Sequence, residues 1–124
     1  SVNMIRTLVG YLDGEGVLEE NLDMVVPVIM RSFCWSMIKN IPYEGMSMRR
    51  LEERAGTFAY VPEIEKALGA VDASKHLKSL VSAPQRWFYR FCMCALKRKM
   101  IKSISRIFYI CYPLMKRYAS AVLK

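Results

Sequence analysis

Apolar residues recur along residues 84–108 with the period of an α-helix. Trp87, Phe91 and Cys94 fall on one line and Phe88, Cys92, Ala95 and Leu96 on another, a wide apolar face on which a bundle can assemble. Both lines end in charge at Lys97, Arg98 and Lys99, and a new stripe of Ile101, Ile104, Phe108 and Cys111 starts in a different phase. The change of phase predicts two helices with a break at residues 97–99. Trp87, Phe88, Phe91 and Leu96 are accordingly assigned to the core.

The same period organises the rest of the chain. Val2, Ile5, Leu8, Val9 and Leu12 share one face of a first helix, closed by the turn Asp13, Gly14, Glu15, Gly16. Residues 17–40 are apolar on nearly every side, with Leu22, Val25, Val26, Ile29, Phe33, Met37 and Ile38 inward, which predicts a central helix. Pro27 lacks an amide proton and marks either a kink or the first turn of a helix capped from Asp23, the favoured expectation being a short acidic turn before it and a long buried helix after it. Pro42 and Gly45 mark a turn, and Ser47 is placed to cap a charged helix over 48–54 that Gly56 and Thr57 stop. Pro62 opens a short helix that Gly69 ends, Asp72 caps 73–81, and Ser82 caps the anchor helix. Pro113 is expected to break the chain again before a last piece carrying Leu114, Tyr118, Ala121 and Val122. No window alternates with period two and no segment repeats, so the pattern predicts an all-α compact bundle of about six to seven helices.

With 124 residues, 53% of them hydrophobic, the chain is long enough to bury its own core as a single domain. Beginning at Ser1, it also fits a piece of a longer multidomain protein. Cys34, Cys92, Cys94 and Cys111 sit in apolar runs and are read as buried free thiols, which favours a cytoplasmic setting. Cys92 and Cys94, two apart on a helix, diverge by roughly 200° and cannot jointly grip a metal. No cofactor is implied. The longest uncharged run, 107–115, is cut by Pro113 and falls short of the roughly 18–20 apolar residues of a membrane span. Association with a membrane surface through the basic helices is a minor alternative.

Charge changes the picture more than composition does. The net charge is +8, yet residues 1–62 hold 6 Lys/Arg against 8 Asp/Glu while residues 63–124 hold 13 against 3. From residue 73 onward there is no acid at all. Such a half attracts phosphate, anionic lipid or an acidic protein surface. Arg86, Arg90 and Lys97 share one helical face, Arg98 follows, and Lys99, Lys102 and Arg106 continue at three- and four-residue steps, forming a candidate stripe for a nucleic acid or an acidic partner. A phosphate contact of this kind weakens steeply with salt. Tyr89, Tyr109 and Tyr112 would add stacking platforms if exposed, although aromatics at this spacing more often belong to a core.

Catalytic arrangements are poorly served. His76 is the lone histidine, and its nearest acid, Asp72, is better explained as a helix cap. The adjacent pairs Glu19/Glu20 and Glu52/Glu53 diverge on a helix, and Gly14 and Gly16 have no strand before them. The chain is therefore read as non-enzymatic, without a small-molecule substrate.

Trp87-Phe88, Phe91 and Ala95-Leu96, preceded by Leu77 and Leu80 on a short helix, resemble the fifth helix of caspase-recruitment (CARD) domains, those of the RIG-I-like RNA helicases in particular. The match covers about a third of the chain. The resemblance implies a death-fold bundle with those aromatics buried, a basic turn after them, association with like domains, and a part in RNA sensing or innate antiviral signalling. Acids confined to the first half, Asp13, Glu15, Glu19, Glu20 and Asp23, supply a candidate counter-patch for the Arg86/Arg90 stripe in a head-to-tail contact. Two readings result. The first is a protein–protein interaction module, homotypic or otherwise, and the second is an RNA-binding domain using the basic half.

Overall fold

Ile5, Val9 and Leu12 bury one side of a first helix, α1 (Val2–Gly14), as their three- and four-residue spacing requires. The structure, a computed structural model, describes residues 2–39, 47–69 and 83–122, with side chains excepted at 83–86 and 114–122. A 3₁₀ turn (Glu19–Asn21) leads into α2 (Leu22–Ile38), followed by α3 (Met48–Ala59), α4 (Pro62–Leu68), α5 (Ala83–Lys97) and α6 (Ile101–Val122). Among the described residues every regular element is helical, and the fold is an all-α bundle. The expected turn at Pro42 and Gly45, the helix over 73–81 and the caps at Asp72 and Ser82 lie outside the described residues.

The nearly uniform apolar surface of α2 explains its position, because it packs against each of the other five helices among the described residues. Its Phe33 meets Phe58 of α3 edge-on at 5.5 Å between ring centroids and Phe108 of α6 at 5.8 Å. Phe88 of α5 completes the cluster, 5.7 Å from Phe108. Each buried ring contributes about 1.5–3 kcal/mol through burial, with about 0.5–1.5 kcal/mol more for each edge-to-face pair. Around this centre α3 lies along α6, and α4 lies against α1.

Three breaks expected from sequence do not occur. Helix α2 begins five residues before Pro27 and runs through it, although the acidic turn at Glu19–Asn21 does precede the helix. Pro27 is buried among Val25, Val26 and Ile29, and that packing outweighs one missing hydrogen bond. Helix α3 continues past Gly56 and Thr57 to Ala59, because Phe58 and Ala59 are buried and Thr57 Oγ1 donates to the Glu53 carbonyl at 2.9 Å. A helical glycine costs only about 1 kcal/mol against that burial. Helix α6 passes through Pro113, whose ring is exposed and whose missing amide would have served the carbonyl of exposed Tyr109, where water can donate in its place. Ser47 stands at the start of α3 without a side-chain cap; its carbonyl accepts from the Leu51 amide at 3.1 Å.

The cysteines divide as well. Cys34 and Cys92 are buried, but Cys94 is exposed and Cys111 is half-buried, so the expectation of four buried thiols fails at two. Cys94 is outside because α5 turns its Cys92 side inward, and Cys111 lies on α6 at the margin of the core.

Candidate functional site

Helix α5 carries apolar residues over a wide arc opposite Arg90 and Lys97, and its neighbours decide which part of that arc is buried. Tyr89, Cys92, Met93, Ala95 and Leu96 face α2, α3 and α6, with Phe88 half-buried beside them. At 100° per residue Trp87 stands about 140° from Cys92, on the far side of the helix. It is 72% exposed, which overturns its assignment to the core. Phe91 is half-buried at the edge, and Leu96 is buried as expected. Small Cys92 and Ala95 let α5 approach its neighbours closely, whereas the indole would hold them apart.

The outward arc of α5 therefore carries Trp87, Arg90, Cys94 and Lys97, with Arg98 in the turn that follows. Among the described residues none of Arg90, Lys97 and Arg98 has an ion-pair partner. Arg86 belongs to the same helix, but its side chain lies outside the described residues. On α6, Ile104, Ser105 and Phe108 are buried, leaving Lys102, Arg106, Tyr109 and Ile110 outside. Tyr109 is 47% exposed and Tyr112 half-buried, whereas Tyr89, another expected stacking platform, is 3% exposed and belongs to the core.

Lys99 leaves the predicted stripe. The Met100 amide donates to the Ala95 carbonyl at 2.9 Å and the Lys99 amide to that of Leu96 at 3.1 Å, the paired bonds of a Schellman C-cap, which places Lys99 in the left-handed region at φ 57°. Gly16 closes α1 in the same way at φ 72°, where a glycine carries no penalty. At Lys99 the side chain supplies what the backbone lacks: its ammonium donates to the Ala59 carbonyl and the Glu65 carboxylate and lies 5.0 Å from the centre of the Tyr60 ring. The charge thus ties the α5–α6 turn to α3 and α4 and is spent inside the molecule.

The expected acidic patch is distributed over two elements. Asp13, at the end of α1, accepts from Lys66 of α4 at 2.6 Å, and Arg6 pairs with Glu63 at 3.4 Å, so α1 and α4 are held by charge as well as by packing. Glu15 is exposed in the turn after α1, Glu19 and Glu20 are exposed on the 3₁₀ turn, and Asp23 is exposed in the first turn of α2. Between these elements lies an open recess of ≈ 530 Å³, lined by Asp13, Leu18, Glu19, Glu20 and Leu22 on one side and by Glu65 and Lys66 of α4 on the other. Its apolar lining is Leu18 and Leu22, and four carboxylates line it beside one ammonium, that of Lys66. Sequence spacing could not show this, because α4 joins the lining from more than forty residues away.

Burial pushes the Cys92 thiol well above its usual pKa, and a hydrogen bond and charge interaction with Cys34 push the same way. Cys92 therefore stays protonated in the core. Among the described residues no group of three or more His, Cys, Asp or Glu side chains is placed to hold a metal ion, and no helix is long and apolar enough to cross a membrane. Compared with family models, with characterised proteins and with solved structures, the chain matches none.

Proposed function

We propose that the chain is a non-enzymatic protein-interaction module whose contact surface is the outer face of α5. The observation that carries this reading is Trp87, 72% exposed on a well-packed helix, with Arg90 on the same arc and Arg98 in the turn that follows. Trp and Arg dominate the energetics of protein interfaces because each combines a large flat contact with directed polarity. Among the described residues the core is filled without the indole. The charge of the arc selects an acidic partner surface with an apolar centre. A cytoplasmic setting suits a surface that carries the free thiol of Cys94. The CARD-like reading, with its part in RNA sensing, belongs to the same proposal. Phe88, Ala95 and Leu96 support it by facing inward, whereas Trp87 serves here as a contact residue.

Selecting peptides from a randomised display library on the immobilised chain, with the Trp87→Ala variant as counter-target, tests this surface. The expected ligands are rich in Asp, Glu and Leu and lose binding to the variant. Selected ligands that bind Trp87→Ala equally well would overturn the proposal.

A second reading, nucleic-acid binding, is favoured by exposed Tyr109 beside Lys102 and Arg106 on α6, in a half of the chain with no acid after residue 72. Titration with labelled single- and double-stranded RNA at low and moderate salt decides it. Tight, salt-sensitive binding that survives Trp87→Ala would establish α6 as the working face, and no binding at low salt would remove this reading.

A further inference from the structure

The outer face of α5 has a complement on the same molecule. The recess between the 3₁₀ turn and α4 is lined by Leu18 and Leu22 and by Glu19 and Glu20, and among the described residues neither glutamate has an ion-pair partner. At ≈ 530 Å³ it has room for an indole with its flanking side chains. Trp87 is exposed, so it does not occupy the recess of its own chain, and both features are mounted on helices packed into one core.

We propose that Trp87 of one copy docks in this recess of a second copy, with Arg90 and Arg98 meeting Glu19 and Glu20. The proposal rests on the preceding reading of α5 as a contact surface and names its occupant. Charge complementarity within one sequence argues for a second copy: Arg90 stands one turn from exposed Trp87 on α5 with Arg98 in the turn beyond the helix end, Glu19 and Glu20 stand beside the recess, and among the described residues none of the four has an ion-pair partner. The contact is heterologous, since each copy gives a knob and offers a recess, so it propagates into a ring or an open chain and does not stop at a symmetric pair. Its salt dependence is mild, because the indole contributes an apolar share that screening does not reach.

Light scattering of the purified chain across a concentration series, at moderate salt, tests this with two variants that leave the core intact. Trp87→Ala removes the knob, and Glu19→Lys with Glu20→Lys blocks the recess; circular dichroism verifies that both remain folded. The wild type is expected to grow in mass with concentration, and each variant to lose about 30-fold or more in association constant, as for an interface hot spot. Mixed in equal amounts, the two variants are expected to form a dimer and nothing larger, because one intact knob and one intact recess remain. Self-association lost in Trp87→Ala but retained in the glutamate variant would mean a symmetric α5 contact and overturn the proposal, as would a mixture that stays monomeric. If the wild type is itself monomeric while display-selected peptides still depend on Trp87, self-docking falls and the contact surface stands. If neither depends on Trp87, both fall.

Discussion

Trp87 and Tyr89 stand two residues apart on α5 and on opposite sides of it, the first 72% and the second 3% exposed. The two aromatics differ in role accordingly: Tyr89 belongs to the packing of the bundle, Trp87 to whatever the bundle touches.

Their substitutions should separate cleanly. Trp87→Ala is expected to change unfolding free energy by no more than about 0.5 kcal/mol, as at other surface positions, while Tyr89→Ala costs about 3–5 kcal/mol by opening a cavity. Urea denaturation of the two variants checks this. A large loss in Trp87→Ala would return the indole to the core.

Lys99 offers a test in which backbone and side chain oppose one another. Both Lys99→Ala and Lys99→Gly remove the contacts to Ala59, Glu65 and Tyr60, but only glycine relieves the left-handed conformation at φ 57°. The glycine variant is expected to be more stable than the alanine variant by about 1 kcal/mol. The ion pair is half open to solvent, with side-chain exposures of 29% and 47%, so its own share is small. Equal melting temperatures for the two variants would show that the turn relaxes when the clasp is removed.

Alkaline pH should weaken the fold through Cys92. Its thiol is held protonated in the native state above the ordinary value of 9.0, while the unfolded chain ionises near that value. Above it the unfolded state binds fewer protons, so stability is fully present below about pH 9 and falls by up to about 1.4 kcal/mol per pH unit as pH rises toward the native pKa. Denaturation at pH 8 and pH 10, with Cys92→Ala as the control, measures it. A slope of the same size in the control would assign the effect elsewhere.

On the nucleic-acid reading, Lys102→Glu combined with Arg106→Glu should lower RNA affinity and reduce the slope of log K against log salt by about 2, one for each lost phosphate contact. An unchanged slope would exclude these two positions from the contact.

The anchor segment shows how far sequence could carry this protein. The phase change at residues 97–99 located the α5–α6 turn, and the acids at 13–23 located one wall of the recess. The side of α5 that is buried could be read only in part: Arg86, Arg90 and Lys97 mark a charged face, but the apolar arc is wide enough to include both Trp87 and Tyr89, and spacing does not say which edge of it is covered. Lys99 was misread for a related reason: three consecutive cations are alike in sequence, and only the C-cap geometry sends one of them inward.

By itself the sequence determined the all-α class, the amphipathic stripe of α1, the ends of α4 at Pro62 and Gly69 and the opposite charge of the two halves, because helical period, helix-end residues and charge are local properties of the chain. The tertiary structure decided that Trp87 is outside and Tyr89 inside, that Pro27, Gly56 and Pro113 do not break their helices, and that α4 closes an acid-lined recess beside Leu18 and Leu22. Those outcomes depend on the volume and hydrogen-bonding partners that distant segments bring to each residue, and local spacing does not encode them.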